Sequence, residues 1–349
     1  MAKEFDFTPT EEQFGVFWKY LVQPEVTGVN YSNGMLWVTD LSKGRYPVQD
    51  EVTDKFLTQF ANTIANSANK HFSSADPVLE ADTRDLRISI LHPSIARTGM
   101  AISLRKSPPV LRHTEESLIA SGFCSREVLN LLINCVKAKL VIVFGGEPEA
   151  GKTELAKFMM QYIDPADRVI TIEDSLELHY GEINLGHDCL ELQIRDGFDY
   201  KTAIKTSLRQ DPRWLMLSEA RSSEVVSLLE SWSTGIAGFT TIHLDDVRKL
   251  PDRVQNMMED KKDVERLENR IYSDVNVGVL IRMRTEADGS IRRYLDQLCF
   301  YTRENGENHM NLVVEDGRMV DGSKEFPADI MKRMREAGII DPYRCTKGI

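Results

Sequence analysis

Apolar side chains recur at two spacings along this chain, and the balance between them changes partway. Over residues 10–22, Phe14, Phe17, Trp18 and Leu21 repeat at helical intervals and predict a short amphipathic helix. Residues 26–40 alternate apolar and polar positions around Asn33-Gly34, which predicts a β-hairpin. Val52, Phe56, Phe60, Ile64 and Ala68 then line one face of a helix over 50–72. Strand-like runs follow at 86–91 and 100–104. The whole predicts a small α+β domain over residues 1–106. Ser107-Pro108-Pro109 breaks the pattern, because neither proline suits a helix interior or a central strand. A linker is expected over 107–113.

Residues 114–349 read differently. A helix is predicted over 118–138. Short β-branched runs at 140–144, 168–172, 214–217 and 238–242 then alternate with helical stretches. That alternation predicts βαβ units and a mostly parallel sheet. Further strands are expected at 275–283, 294–301 and 311–314, and a closing helix at 327–336. The chain shows no internal repeat and no low-complexity segment.

The sharpest chemical signal is Leu140-Val-Ile-Val-Phe-Gly-Gly146-Glu147-Pro148-Glu149-Ala150-Gly151-Lys152-Thr153-Glu154. It matches G-x-x-x-x-G-K-[ST] in the required setting of strand, loop and helix. The glycines let the backbone close on phosphate. Successive amides at a helix N-terminus form an anion nest. In such a loop the lysine, here Lys152, reaches the β/γ-phosphates, and the hydroxyl of Thr153 ligates Mg²⁺. The cofactors expected are therefore ATP and Mg²⁺. Glu147 and Glu149 are unusual beside a phosphate cradle. Two carboxylates within a Debye length of about 8 Å oppose an anionic ligand.

Three further strand ends carry polar residues. Trp214-Leu-Met-Leu-Ser218-Glu219-Ala-Arg221 is an apolar strand closed by a carboxylate, which downstream of a phosphate loop can hold Mg²⁺ through water or polarise the attacking water. Arg168-Val-Ile-Thr-Ile-Glu173-Asp174-Ser-Leu-Glu177 ends a second strand, and adjacent strands of a doubly wound sheet deliver their C-terminal ends to one crevice. Gly238-Phe-Thr-Thr-Ile-His243 ends a third, where a histidine can donate to a γ-phosphate.

Composition narrows the setting. The formal charge is −11, from 43 basic and 54 acidic residues, which argues against avid nucleic-acid binding through net charge. The five cysteines form no CxxC pair, so neither a zinc knuckle nor a disulfide frame is expected, and a reducing compartment fits. The N-terminal residues lack an apolar h-region, and the run at 140–144 is far shorter than the roughly 20 residues of a membrane span. A cytoplasmic protein, at most peripheral to a membrane, is expected.

In order and spacing, the phosphate loop, Glu173-Asp174, Ser218-Glu219-Ala-Arg221 and Thr241-Ile-His243 resemble the Walker A, Asp box, Walker B and His box of the secretion ATPase superfamily. These are the traffic motors of type II and type IV secretion, conjugation, and pilus assembly and retraction. The likeness covers about residues 70 to 275. Ala101-Ile-Ser-Leu-Arg105-Lys106 and Leu118-Ile-Ala-Ser-Gly122 resemble the conjugation and tight-adherence branch, and the four-cysteine zinc element of the type II branch is absent. The resemblance implies a RecA-like P-loop ATPase domain and a homo-hexamer. It also implies a cytoplasmic motor docked on inner-membrane secretion or pilus platform proteins, with no direct sequence-specific nucleic-acid contact. By analogy Glu219 is the general base, Glu173 a second carboxylate at the metal and water, and His243 the γ-phosphate sensor. Arg195 and Arg209 resemble arginines that neutralise transition-state charge, and Arg105 resembles the N-domain arginine that closes on nucleotide. The chain departs from the family at Arg213, usually acidic, at Ser218, usually glycine, and in its acidic loop.

Two rival functions stay open on this reading: a RecA-like nucleic-acid motor, which single-stranded DNA would stimulate, and a nucleotide-binding scaffold with little turnover. The acidic loop motivates the second, and yields a direct expectation. Replacing Glu147 with Thr and Glu149 with Ser should tighten ATP binding, more at low than at high ionic strength, because ions screen the removed repulsion. Titration of labelled nucleotide at two salt concentrations checks it. Unchanged affinity at both would mean that neither charge reaches the phosphates.

Overall fold

The computed structural model describes residues 7–195, 197–258 and 264–345. The chain divides into two compact units, Met1–Pro109 with Thr285–Ile291, and Val110–Arg284 with Arg292–Ile349.

The first unit carries a six-stranded antiparallel sheet. Its strands are β1 (Val26–Ser32), β2 (Met35–Asp40), β3 (Gly44–Val48), β4 (Val78–Asp82), β5 (Leu86–Leu91) and β6 (Ala101–Lys106), in the order β3-β2-β1-β6-β5-β4. The hairpin expected at Asn33-Gly34 is present, with φ of +50° and +73° at the two turn residues. Alternate residues such as Val29, Leu36, Ile88, Ile102 and Leu104 are buried. They pack with helix Asp54–Ser67, whose first turn is capped by Thr53. Phe60 meets Phe14 and Phe17 edge-on at 5.3 and 5.1 Å. The helix expected over 10–22 is instead three short pieces, Glu11–Phe14, Gly15–Phe17 and Trp18–Leu21. Gly15 interrupts it at φ +48°, and the Phe56 ring lies 2.6 Å from where a Cβ would stand.

The second unit is α/β, as expected. Its strands are β7 (Ile142–Gly146), β8 (Val169–Glu173), β9 (Cys189–Gln193), β10 (Trp214–Leu217), β11 (Phe239–His243), β12 (Val277–Thr285), β13 (Ile291–Glu304), β14 (Glu307–Glu315) and β15 (Arg318–Met319), in the order β15-β14-β13-β12-β7-β11-β10-β8-β9. The block from β12 to β9 is parallel. Its central strands β7, β8, β10 and β11 are buried on both faces. Ile142, Phe144 and Trp214 pack on one side with helices Arg126–Lys137 and Lys152–Met160, while Val143, Ile170 and Leu215 pack on the other with helix Glu224–Trp232. Residues 118–138 form two helices, Glu115–Ala120 and Arg126–Lys137, separated where Gly122 turns left-handed at φ +66° and Ser125 caps the second.

One carboxyl group is sealed inside this unit. Glu173, the last residue of β8, is fully buried. Its Oε2 accepts hydrogen bonds from the backbone N–H groups of Glu177 (2.8 Å) and Leu178 (3.0 Å). Its Oε1 has no hydrogen-bond partner among the described residues. Burial pushes its pKa up to about 8 against those two amides, which favour the charged form. In the unfolded chain the carboxyl ionises near its ordinary value of 4.5. The unfolded state therefore binds fewer protons between those two values, and stability falls as pH rises through that window. Glu173→Gln removes this titration. The stability of the variant relative to the parent should rise by at least about 1 kcal/mol between pH 5 and pH 8. Urea denaturation at the two pH values measures it; parallel curves would show that Glu173 does not titrate there.

Candidate functional site

In a parallel sheet the strands' C-terminal ends share one edge. The neighbours β7, β11, β10 and β8 place Gly146, His243, Ser218-Glu219 and Glu173-Asp174 along it. The register is direct: His243 stands opposite Gly146, and Leu217 opposite Ile172. The Thr241 hydroxyl donates to the carbonyl of Ser218 (2.7 Å), tying β11 to the start of the Glu219 loop.

The phosphate loop leaves β7 at Gly146, whose φ is +152°. A Cβ there would lie 2.5 Å from the backbone oxygen of Ile281, so only glycine fits. Glu149 adopts φ +65°, an unusual conformation for a side-chain-bearing residue. Its carbonyl accepts a hydrogen bond from Arg293 Nε (3.0 Å). Burial lowers the pKa of Arg293, and the Glu149 charge counters that shift. Glu147 and Glu149 are themselves exposed. Gly151 (φ +97°) then opens helix Lys152–Met160. Lys152 is buried, and its Nζ donates to the carbonyls of Glu147 (2.8 Å) and Gly146 (3.1 Å).

Lys152 Nζ also lies 3.4 Å from His243 Nδ1. His243 Nε2 lies 2.9 Å from Glu219 Oε1. His243 Nδ1 lies 3.4 Å from the Gly146 carbonyl as well, and Glu219 Oε1 is buried with no hydrogen-bond partner among the described residues. The other oxygen of Glu219, Oε2, pairs with Arg221 Nη2 (2.8 Å), and Arg221 Nη1 pairs with Asp174 Oδ2 (2.8 Å). A continuous chain of contacts thus runs Lys152, His243, Glu219, Arg221, Asp174 across four strand ends. The Thr153 hydroxyl donates to Glu177 Oε2 (3.4 Å). Oxygen donors of this kind, a hydroxyl beside carboxylates, suit Mg²⁺. Among the described residues no group of three or more His, Cys, Asp or Glu side chains forms a metal cluster.

The remaining expected residues lie elsewhere. Glu173 ends the right strand with its carboxyl buried, Oε2 held by the turn that follows and Oε1 without a hydrogen-bond partner among the described residues. Arg195 is exposed beyond β9, its backbone bridged to Phe198. Arg209 is exposed after helix Tyr200–Ser207, ahead of β10 and so at the sheet edge opposite the phosphate loop. Arg105 is exposed on β6 of the first unit. Three contributors went unassigned from sequence. Arg221 and Glu177 lay inside quoted motifs. Arg293 sits at the far end of the chain from the loop it holds, with no local pattern to mark it.

Comparison with known proteins places this architecture. The family described as type II/IV secretion system protein matches residues 74–320. An uncharacterized Bacillus anthracis protein is 24% identical over 294 residues, covering 81% of this chain and 66% of its own length. A putative conjugal transfer protein of Mycobacterium tuberculosis is 25% identical over 234 residues, covering 63% of this chain and 65% of its own. The chain thus spans just under two thirds of the length of these relatives. The X-ray structure of the Yersinia pseudotuberculosis ATPase DotB superposes with a TM-score of 0.63 at 15% identity, over 85% of this chain and 81% of that one, which shows the shared RecA-like fold. With more than half of its residues matched, the chain belongs to the type II/IV secretion system protein family.

Proposed function

We propose that this protein is an ATP-hydrolysing motor subunit of a type IV secretion, conjugation or pilus-like machine. The observation that carries the reading is the meeting of Lys152, His243 and Glu219 at the strand ends, with spacings of 3.4 and 2.9 Å. The loop amides and Lys152 bind the phosphates. Glu219 accepts a proton from the attacking water, and His243 senses the γ-phosphate. Thr153, Glu219 and Glu177 would hold Mg²⁺, which when bound neutralises charge on the phosphate oxygens. A site of this kind needs further cations to offset transition-state charge. Arg195, Arg209 and Arg105 are the candidates, and the position of Arg209 on the opposite sheet edge suits action on a neighbouring subunit. A closed homo-hexamer with heterologous interfaces supplies that neighbour. Its docking partners would be inner-membrane platform proteins, met from the cytoplasmic face. Among the described residues no helix is long and apolar enough to cross a membrane.

The scaffold reading, with little turnover, is favoured by one observation, the two acidic side chains on the loop. Arg293 beside Glu149 weakens it, since that charge already has a cation near it. Two variants separate the readings. Lys152→Ala should abolish hydrolysis and most nucleotide binding. Glu219→Gln should lower turnover by roughly 10²–10⁴-fold while nucleotide affinity stays within a few-fold. Steady-state phosphate release and nucleotide titration measure both, and parent-like turnover from Glu219→Gln would remove the base assignment. Mass measurement in solution with a non-hydrolysable ATP analogue and Mg²⁺ should give a hexamer; a persistent monomer would refute the ring.

A further inference from the structure

We propose that Arg221 is a positioning residue that holds the general base Glu219 by one oxygen and leaves the other, which faces His243, to the attacking water. The inference rests on the ATPase reading above and deepens it.

The geometry of the clamp is asymmetric. On one side, Glu219 Oε1 meets His243 Nε2, and the other nitrogen of that imidazole faces Lys152 Nζ at 3.4 Å. Lys152 is the residue that phosphate binding must recruit, so this side is tied to the occupancy of the loop. On the other side, Glu219 Oε2 meets Arg221, whose second nitrogen is braced by Asp174 at the end of the neighbouring strand. No element of that brace lies in the phosphate loop. The backbone of Arg221 is fixed as well. Glu224 Oε1 accepts hydrogen bonds from the N–H groups of Arg221 (2.7 Å) and Ser222 (2.8 Å), and the Ser222 hydroxyl donates to Glu224 Oε2. Glu224 is nearly buried and opens helix Glu224–Trp232.

Nucleotide therefore has a defined effect on the base. Phosphate draws Lys152 toward itself and His243 toward the γ-position. Glu219 Oε1, which has no hydrogen-bond partner among the described residues, is then left to accept from water, while Arg221 keeps Oε2 in place and the carboxylate aimed. A stability role alone fits Arg221 poorly. Its side chain is 47% exposed, and ion pairs at such sites contribute little to folding.

The test uses the full chain and its nucleotide-dependent phosphate release. Arg221→Ala should lower kcat by about tenfold to a hundredfold, the loss expected when a reacting group is misplaced, with nucleotide affinity within about threefold and the thermal midpoint nearly unchanged. Arg221→Lys keeps the charge but lacks the fork that spans two carboxylates, so its kcat should fall between the two. If Arg221→Ala does not fold, Arg221→Lys decides alone: reduced kcat with intact affinity supports the inference, and parent-like kcat overturns it. Parent-like kcat in a folded Arg221→Ala, or kcat and affinity falling together, also overturns it. Phosphate release that Lys152→Ala abolishes but both Arg221 variants leave intact sinks this inference alone. Parent protein without Lys152-dependent release sinks the ATPase reading and this inference with it.

Discussion

Parallel strand pairing is the constraint on which the site depends. Parallel neighbours all point their carboxyl ends the same way, so residues far apart in sequence reach one edge without any contact having to be specified individually. In this chain the pairing β7-β11-β10-β8 converts four separate strand ends into one row. The row is crowded with polar groups because each strand stops being buried at the same level. Loss of register by one residue in β11 would turn His243 to the opposite face and detach Lys152 from Glu219.

Much of this was legible locally. Parallel strands β7, β8, β10 and β11 are short, rich in apolar or β-branched residues and bounded by turns, so each announces itself, whereas β9 carries the polar residues Glu191 and Gln193 and has no counterpart among the expected strands. The loop from Gly146 to Thr153 follows a spacing set by phosphate geometry, and Asn33-Gly34 requires a tight turn. The misses have common physical causes. Gly15 and Gly122 break helical patterns at left-handed conformations that periodicity alone does not reveal. Strand β3 lies at the sheet edge, carries Pro47 and alternates only weakly in burial, so its apolar signal is thin.

The site's polarity was harder to read than its position. Glu173 and Asp174 are adjacent in sequence yet sit in opposite environments, one sealed in a turn and one paired with Arg221. Strand alternation explains the difference, but a two-residue motif does not display it. The acidic loop shows the complementary case. Glu149 reads as a bare charge beside phosphate until the fold brings Arg293 to its carbonyl from the other end of the chain. Long-range charge compensation of this kind has no periodic signature.

The carboxylate of Glu224 has a mechanical consequence. It is both the first residue of a nine-residue helix and the acceptor that gathers the loop behind Glu219. The helix cannot slide along its axis without either dragging that loop or stripping a nearly buried anion of its donors, which is the costlier outcome. Helix and loop therefore behave as a stiff rod with the Glu219 carboxylate near its tip. Displacement of the helix along its axis is thus passed to the loop that carries Glu219 through a single short lever.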